Sequence, residues 1–296
     1  MEALNRTVAD ALRRRRAELT PAELRVAQAL LGDYPVAGLR PIARLAENAG
    51  VSPPTVLRLV TKLGFGGYPQ IQEALRAELS ARTSGPLEGY PAMRGDEPLV
   101  VRARSLESAL AESQRAQDPA ELTAAADLIA DRERRVLVTG GRFSWTLAAH
   151  LASFAGLLRP DVTHVANERG ARAAALLDVD ERTVLVAFDY RRYQRDTIAF
   201  GRAAAGRGAS LIVCTDPYLS PLASAARVLL TTTVEGPPPF VTLVPAFALV
   251  ETLILGVVER GGKESRHRVA DFEDLNAHAV DSGPAPLSAQ TDECDS

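Results

Sequence analysis

Cysteine is almost absent from this chain. Cys214 lies in an apolar, strand-like run and Cys294 in an acidic tail, and neither has metal-ligand spacing. A disulfide framework or a zinc site is therefore not expected, and a reducing cytosol fits. Long apolar runs are missing too: no stretch of about 18 uncharged apolar residues occurs, so no membrane span is expected. The first residues carry no apolar core behind their charges, which predicts no secretory signal and a cytoplasmic location. Histidine is scarce and scattered. His150 falls in a helical stretch and His164 in or at the end of a strand, while His267 and His278 lie at or beyond the end of the globular part. No Ser/His/Asp order, metal cluster or phosphate loop appears, so neither catalysis nor a metal or cofactor is expected. Lysine is limited to Lys62 and Lys263, and arginine carries nearly all the positive charge, a bias of the kind GC-rich codon usage produces.

What is present is a soluble, core-forming composition: 46% hydrophobic and 24% charged residues over 296 positions, enough chain for two domains. The net charge of −3 hides an asymmetry. Residues 1–83 hold 12 Lys/Arg against 8 Asp/Glu, and the excess of acid lies in the remainder. A basic head on an acidic body places any nucleic-acid contact at the front.

Helical spacing of Ala, Leu, Arg and Glu runs through residues 1–82. Residues 83–98 (TSGPLEGYPAMRGDEP) break it with three prolines and three glycines and read as a linker. Residues 99–262 form the second unit. Two helices come first, with Asp118 as a cap and Pro119 opening the second helix. Apolar strands at 136–138, 162–165, 183–188, 210–214 and 228–231 then alternate with helices, and a long apolar helix spans 240–260. Near-continuous apolar strands separated by helices predict an α/β domain, a doubly wound five-stranded parallel sheet covered on both faces. Residues 263–296, acidic and poor in large apolar side chains, read as a disordered tail.

The informative N-terminal stretch runs from Ile42 to Gly64. Ile42, Leu45 and Ala46 give a short helix one apolar face; Gly50 allows a sharp turn and Val51 plugs the angle. Ser52 can cap the next helix and Pro53 suits its first position. Val56, Leu59, Val60 and Leu63 make that helix's inner face, with Thr55, Arg58, Thr61 and Lys62 more outward. Two short helices joined by a glycine turn form the helix-turn-helix pattern, although a helical hairpin in some other all-α domain shares it. The order and spacing over Thr20–Leu79 (LT..E..VA..LL..YP, I..LAE.AGVS..TV.RL..KLGF.GY) resemble the DNA-binding domain of the RpiR/MurR family of regulators. That resemblance implies that Ser52, Thr55 and Arg58 approach base edges, with Lys62 and Arg44 on phosphates. The fork of Arg58 suits guanine. Pro54 replaces the small or acidic residue usual at its position. The basic run Arg13–Arg16 reads as solvated helix surface.

Residues 99–260 resemble the SIS (sugar isomerase) fold of the same family, chiefly through Gly208–Leu229 (GASLIVCTDPYLSPLASAARVL). In a parallel α/β sheet ligands bind beyond the carboxyl ends of the strands. Gly140, Gly141, Arg142 and Ser144, after the first strand, offer backbone N–H groups and a hydroxyl to an anion. The resemblance implies an S-x-S-G-x-T loop after the third strand, but this chain has Asp189-Tyr190-Arg191-Arg192-Tyr193-Gln194. Arg191 and Arg192 could hold a phosphate or carboxylate, pair with Asp189, Asp196 or Glu168, or touch another subunit. Asn167, Glu168 and Arg169 are candidate rim residues.

The expectation is a homodimeric or homotetrameric regulator that binds a double-stranded DNA operator and senses a small anionic metabolite, phosphosugars among the candidates. Two alternatives stand beside it: an SIS-fold sugar-phosphate isomerase with an accessory helical domain, and a DNA-binding regulator whose SIS domain only oligomerises.

Overall fold

The computed structural model describes residues 7–83, 85–90 and 98–281. Cys294, parts of the expected linker (84 and 91–97) and the end of the expected tail (282–296) lie outside the described residues.

The N-terminal unit comprises α1 (Val8–Arg14), a 3-10 turn (Arg16–Glu18), α2 (Pro21–Gly32), α3 (Val36–Leu39), α4 (Ile42–Asn48), α5 (Pro53–Lys62) and α6 (Tyr68–Thr83). Local chemistry sets its boundaries. Thr20 and Glu23 form a reciprocal capping box that starts α2 at Pro21, satisfying two backbone donors the helix leaves free. Gly50, at φ 60°, turns the chain between α4 and α5 in a conformation that costs other residues energy. Val26, Leu30, Leu45, Val56, Leu59, Val60, Ile71 and Leu75 form one core, and Val51 packs against it.

A short helix, α7 (Pro86–Gly89), interrupts the expected linker. Then follow α8 (Leu99–Ala116), α9 (Pro119–Ala130), β1 (Arg135–Gly140), α10 (Trp145–Leu158), β2 (Val162–His164), α11 (Arg169–Leu177), β3 (Thr183–Phe188), α12 (Arg195–Gly206), β4 (Ser210–Thr215), β5 (Val228–Thr231) and α13 (Val244–Asp281). Asp118 caps α9 as its position predicts, accepting from the Ala120 N–H at 2.9 Å. The five strands are all parallel, in the order β2-β1-β3-β4-β5. Alternate residues feed opposite faces. Val136, Val138, Val184, Val186 and Ile212 pack under α9, α10 and α13. Leu137, Leu185, Leu211 and Val213 pack against Leu176 of α11 and against Phe200 and Ala204 of α12. The sheet is thus doubly wound. Strand order reverses between β1 and β3, which opens a crevice at their carboxyl ends.

The C-terminal segment differs from expectation. The last helix starts at Val244 rather than 240, because Pro245 lacks an N–H and fits only the first turn of a helix. It bends at Gly262 (φ 55°) and continues to Asp281, through the first half of the stretch read as a disordered tail. Ser265, buried, donates to the Leu158 carbonyl at 2.6 Å, and Arg268 donates to the Gly156 carbonyl at 2.9 Å. These anchors onto α10 hold a segment whose composition alone would not order it. Among the described residues no helix is long and apolar enough to cross a membrane.

Candidate functional site

In α5 the glycine turn and the run of inner-face residues present Ser52, Pro54, Leu57, Arg58 and Thr61 to solvent. Arg58 extends from this face and donates to Thr55 Oγ1 at 2.9 Å. Three of the residues singled out from sequence sit differently from the expectation. Thr55 is buried at 5% exposure, because it falls on the same helical flank as Val56 and Leu59, and its hydroxyl contacts Ser52 Oγ and Arg58. Lys62 is drawn inward to Glu23 (2.8 Å) and the Glu18 carbonyl (3.0 Å). Ser52 occupies the N-cap position of α5 without making a side-chain capping bond. Arg44 is exposed and paired with Glu47 at 2.9 Å.

The second site is a cavity of about 580 Å³ at the reversal point of the sheet. Loop 141–144 after β1 and loop 189–194 after β3 line it, with the segment 234–243 between β5 and α13 and, from the interdomain connection, Gly85, Pro86 and Glu88. Gly140, by contrast, ends β1 behind the lining. A Cβ there would stand 2.5 Å from the Ser144 carbonyl oxygen, so this glycine serves close packing of loop on strand. Two of the groups that the first loop offers to an anion satisfy each other. Ser144, 6% exposed, donates its hydroxyl to the Phe188 carbonyl (2.7 Å) and accepts from the Gly141 N–H (2.8 Å).

The second loop is similarly self-satisfied at its base. Asp189, 1% exposed, accepts from the Gln194 N–H at 3.1 Å and from the Ser220 hydroxyl. Burial pushes its carboxyl up to about 6, against the pull of those two hydrogen bonds. A carboxylate of the chain itself thus sits at the amino end of α12, where a helix start would otherwise welcome a bound anion. Arg191 is held by Glu235 and lies 4.7 Å from the Tyr218 ring centroid, a structural pairing with an acid other than the three expected. Arg192 (φ 63°) and Arg142 are exposed at the cavity, and Arg142 rests 5.7 Å from the Phe143 ring centroid. Of the rim candidates, Asn167 accepts from the buried Arg172 at 2.8 Å, while Glu168 and Arg169 stand at the start of α11 outside the lining. His150 bonds Glu251 at 2.6 Å and His164 stacks on Trp145, so both belong to packing.

Three parts of the site escaped the sequence reading. The segment 234–243 has neither helical nor strand periodicity; its three successive prolines with Phe240 were the only signal. Asp216, buried, accepts from the Tyr193 hydroxyl at 2.8 Å and the Tyr218 N–H at 2.9 Å, joining the loops after β3 and β4. Arg82, at the end of α6, donates to the carbonyls of Tyr218, Leu219 (2.6 Å) and Tyr34 (3.1 Å), and lies over the rings of Tyr34 and Tyr193. Leu219 inserts into the N-terminal core, and Thr7 donates to the Pro217 carbonyl at 3.0 Å. The loop after β4 therefore touches the cavity floor through Ser220 and the helix-turn-helix unit through Leu219.

Comparison with known proteins agrees with this architecture. The family profile described as a helix-turn-helix domain of the rpiR family matches residues 6–82, and the SIS domain profile matches residues 128–256. No curated protein matches the chain. Among solved structures, the sugar isomerase domain of an RpiR transcription factor from Sphaerobacter thermophilus is similar at 23% identity and a TM-score of 0.55, covering 60% of this chain and all of that one. The Vibrio vulnificus NanR protein complexed with ManNAc-6P is similar at 18% identity and a TM-score of 0.53, covering 92% of this chain and 98% of that one. At these identities the likeness speaks for the fold. The chain thus carries an rpiR-family helix-turn-helix domain followed by an SIS domain.

Proposed function

We propose that this protein is a transcription regulator that binds operator DNA through α5 and whose SIS domain senses a small anionic metabolite and modulates that binding. The observation that carries the reading is the shared cavity: the two loops at the sheet's reversal point and the segment leading out of the helix-turn-helix domain line the same space. A ligand that fits one arrangement of that segment better than another shifts the placement of the DNA-reading heads, and operator affinity changes by the same coupling free energy. The NanR neighbour carries ManNAc-6P, which makes phosphosugars the first class to test. Ser52, Arg58 and the exposed Leu57 and Thr61 are the side chains offered to base edges. Thr55 supports Arg58 from within, and Arg44 and Lys62 are available to phosphates only by leaving Glu47 and Glu23. Such heads read two half-sites about 34 Å apart or a multiple of it, so a homodimer or homotetramer is part of the proposal. The exposed Phe247, Leu255 and Val258 of α13 offer it an apolar face.

A catalytic role finds little support. Isomerisation of a sugar phosphate requires a placed base, and no histidine stands among the described residues lining the cavity; of its acids, Asp189 and Glu235 are already engaged and Glu88 lies on the interdomain segment. The test is genome-wide recovery of DNA fragments by the purified protein and by Arg58→Ala. Enrichment of a short palindrome by the wild type, weakened by about 1–3 kcal/mol per half-site in the variant, is the expected result. Absence of any enriched sequence at modest salt, together with turnover of a sugar phosphate, would move the isomerase alternative to first place.

A further inference from the structure

Several of the polar side chains with which a sugar could be held at this cavity are already committed. Ser144 spends its proton on the Phe188 carbonyl, Asp189 is closed by Ser220 and the Gln194 N–H, Arg191 is bound to Glu235, and the Gln194 side-chain amide donates to the Arg192 carbonyl at 2.8 Å. A polyhydroxylated ligand would find few side-chain partners for its hydroxyls, and each one buried without a partner carries a free-energy cost. Two kinds of surface remain uncommitted. One is cationic: the guanidinia of Arg142 and Arg192 make no hydrogen bond or ion pair with the described residues. The other is apolar: Phe143 and Phe240 line the cavity yet are 63% and 62% exposed, and Val234, Pro238 and Leu243 continue the wall between them. Of the lining acids, Glu235 is paired with Arg191, Asp189 is closed by Ser220 and the Gln194 N–H, and Glu88 lies on the interdomain segment, so Arg142 and Arg192 keep no ion-pair partner among the described residues.

We propose that the cavity takes an amphipathic anion, a carboxylate or phosphate head on an apolar body of about eight to twelve carbons, rather than a sugar phosphate. The head pairs with Arg142 and Arg192, whose planar forks suit either oxyanion. The body covers Phe143 and Phe240, removing from water apolar surface that the protein alone leaves wet. This rests on the sensing role proposed above and specifies its ligand.

Calorimetric titration of the full-length protein tests it, with octanoate, octyl phosphate, octanol and glucose 6-phosphate as probes. Octanoate and octyl phosphate should bind at least about ten-fold more tightly than octanol, which lacks the charge, and than glucose 6-phosphate, which lacks the apolar body. Comparison of the two anions identifies the head. Arg142→Gln combined with Arg192→Gln, and separately Phe240→Ser, should each weaken the anions about ten-fold while the circular dichroism spectrum is retained. Anion binding unchanged in both variants would mean adsorption elsewhere and would overturn the proposal, as would octanol equalling octanoate. Glucose 6-phosphate binding most tightly and shifting operator affinity would overturn it while leaving the sensing role intact. If no probe binds and operator binding is normal, both the ligand class and the sensing role fall.

Discussion

Glu78 shows how a single side chain inside the helix-turn-helix domain carries a pH dependence. It sits between α1 and α6, 7% exposed, accepting from the Val8 N–H at 2.7 Å and from the Tyr34 hydroxyl, with Arg82 and Asp10 as the nearby charges. Burial raises its carboxyl from 4.5 to about 7 despite those hydrogen bonds. A carboxyl whose pKa is higher folded than unfolded stabilises the fold fully below the unfolded value and loses that contribution as pH rises through about 7. Glu78→Gln keeps an acceptor without the charge. Its stability relative to the wild type should therefore grow between pH 5 and pH 8, by about 3 kcal/mol at most. Urea denaturation at the two pH values measures this, and a difference independent of pH would refute it. Residue identity alone did not mark Glu78, since its neighbours Tyr34 and Val8 come from other elements.

At the scale of elements, local signals were read well wherever the physics is local. The Asp118 cap, the glycine turn at Gly50 and the apolar runs of β1, β3 and β4 all depend on residues within one turn or one strand. Two elements were misjudged for the opposite reason. The continuation of α13 beyond Gly262 is held by Ser265 and Arg268 on carbonyls of α10, more than a hundred positions away. The Ser144 hydroxyl of the β1–α10 turn was read as open to an anion, but Ser144 and Gly141 close on each other and on β3. Its tightness makes a prediction. In Gly140→Ala the new methyl meets the Ser144 carbonyl and the Trp145 nitrogen at 2.5–2.6 Å, backbone atoms that cannot swing away. The variant should lose about 1–3 kcal/mol in thermal or urea unfolding; a stability equal to the wild type would show that the turn can relax.

On the scale of the whole molecule, the two domains share one contact system centred on the loop after β4. Leu219 enters the N-terminal core, Ser220 holds Asp189 at the cavity floor, and Arg82 gathers the carbonyls of Tyr218, Leu219 and Tyr34. A charged donor serving several buried carbonyls leaves all of them unpaired when it is removed. Arg82→Ala should therefore speed hydrogen exchange at amides 217–222 by about ten-fold or more while β1 and β3 keep their protection. Unchanged exchange would place the docking on Leu219 and Thr7 alone.

Sequence alone determined the order of the domains, the helix-turn-helix turn, the parallel sheet and the two loops that face its crevice. Each of those follows from periodicity, glycine and proline placement, or apolar runs, all written within about twenty residues of chain. Which polar groups in those loops stay free was decided only by the tertiary structure. Ser144 is spent on Phe188, Arg191 on Glu235, Asp189 on Ser220 and Lys62 on Glu23, partners 31 to 44 positions apart. A buried donor or acceptor must find a partner from whatever the fold brings beside it, and that neighbourhood does not exist until the chain has folded.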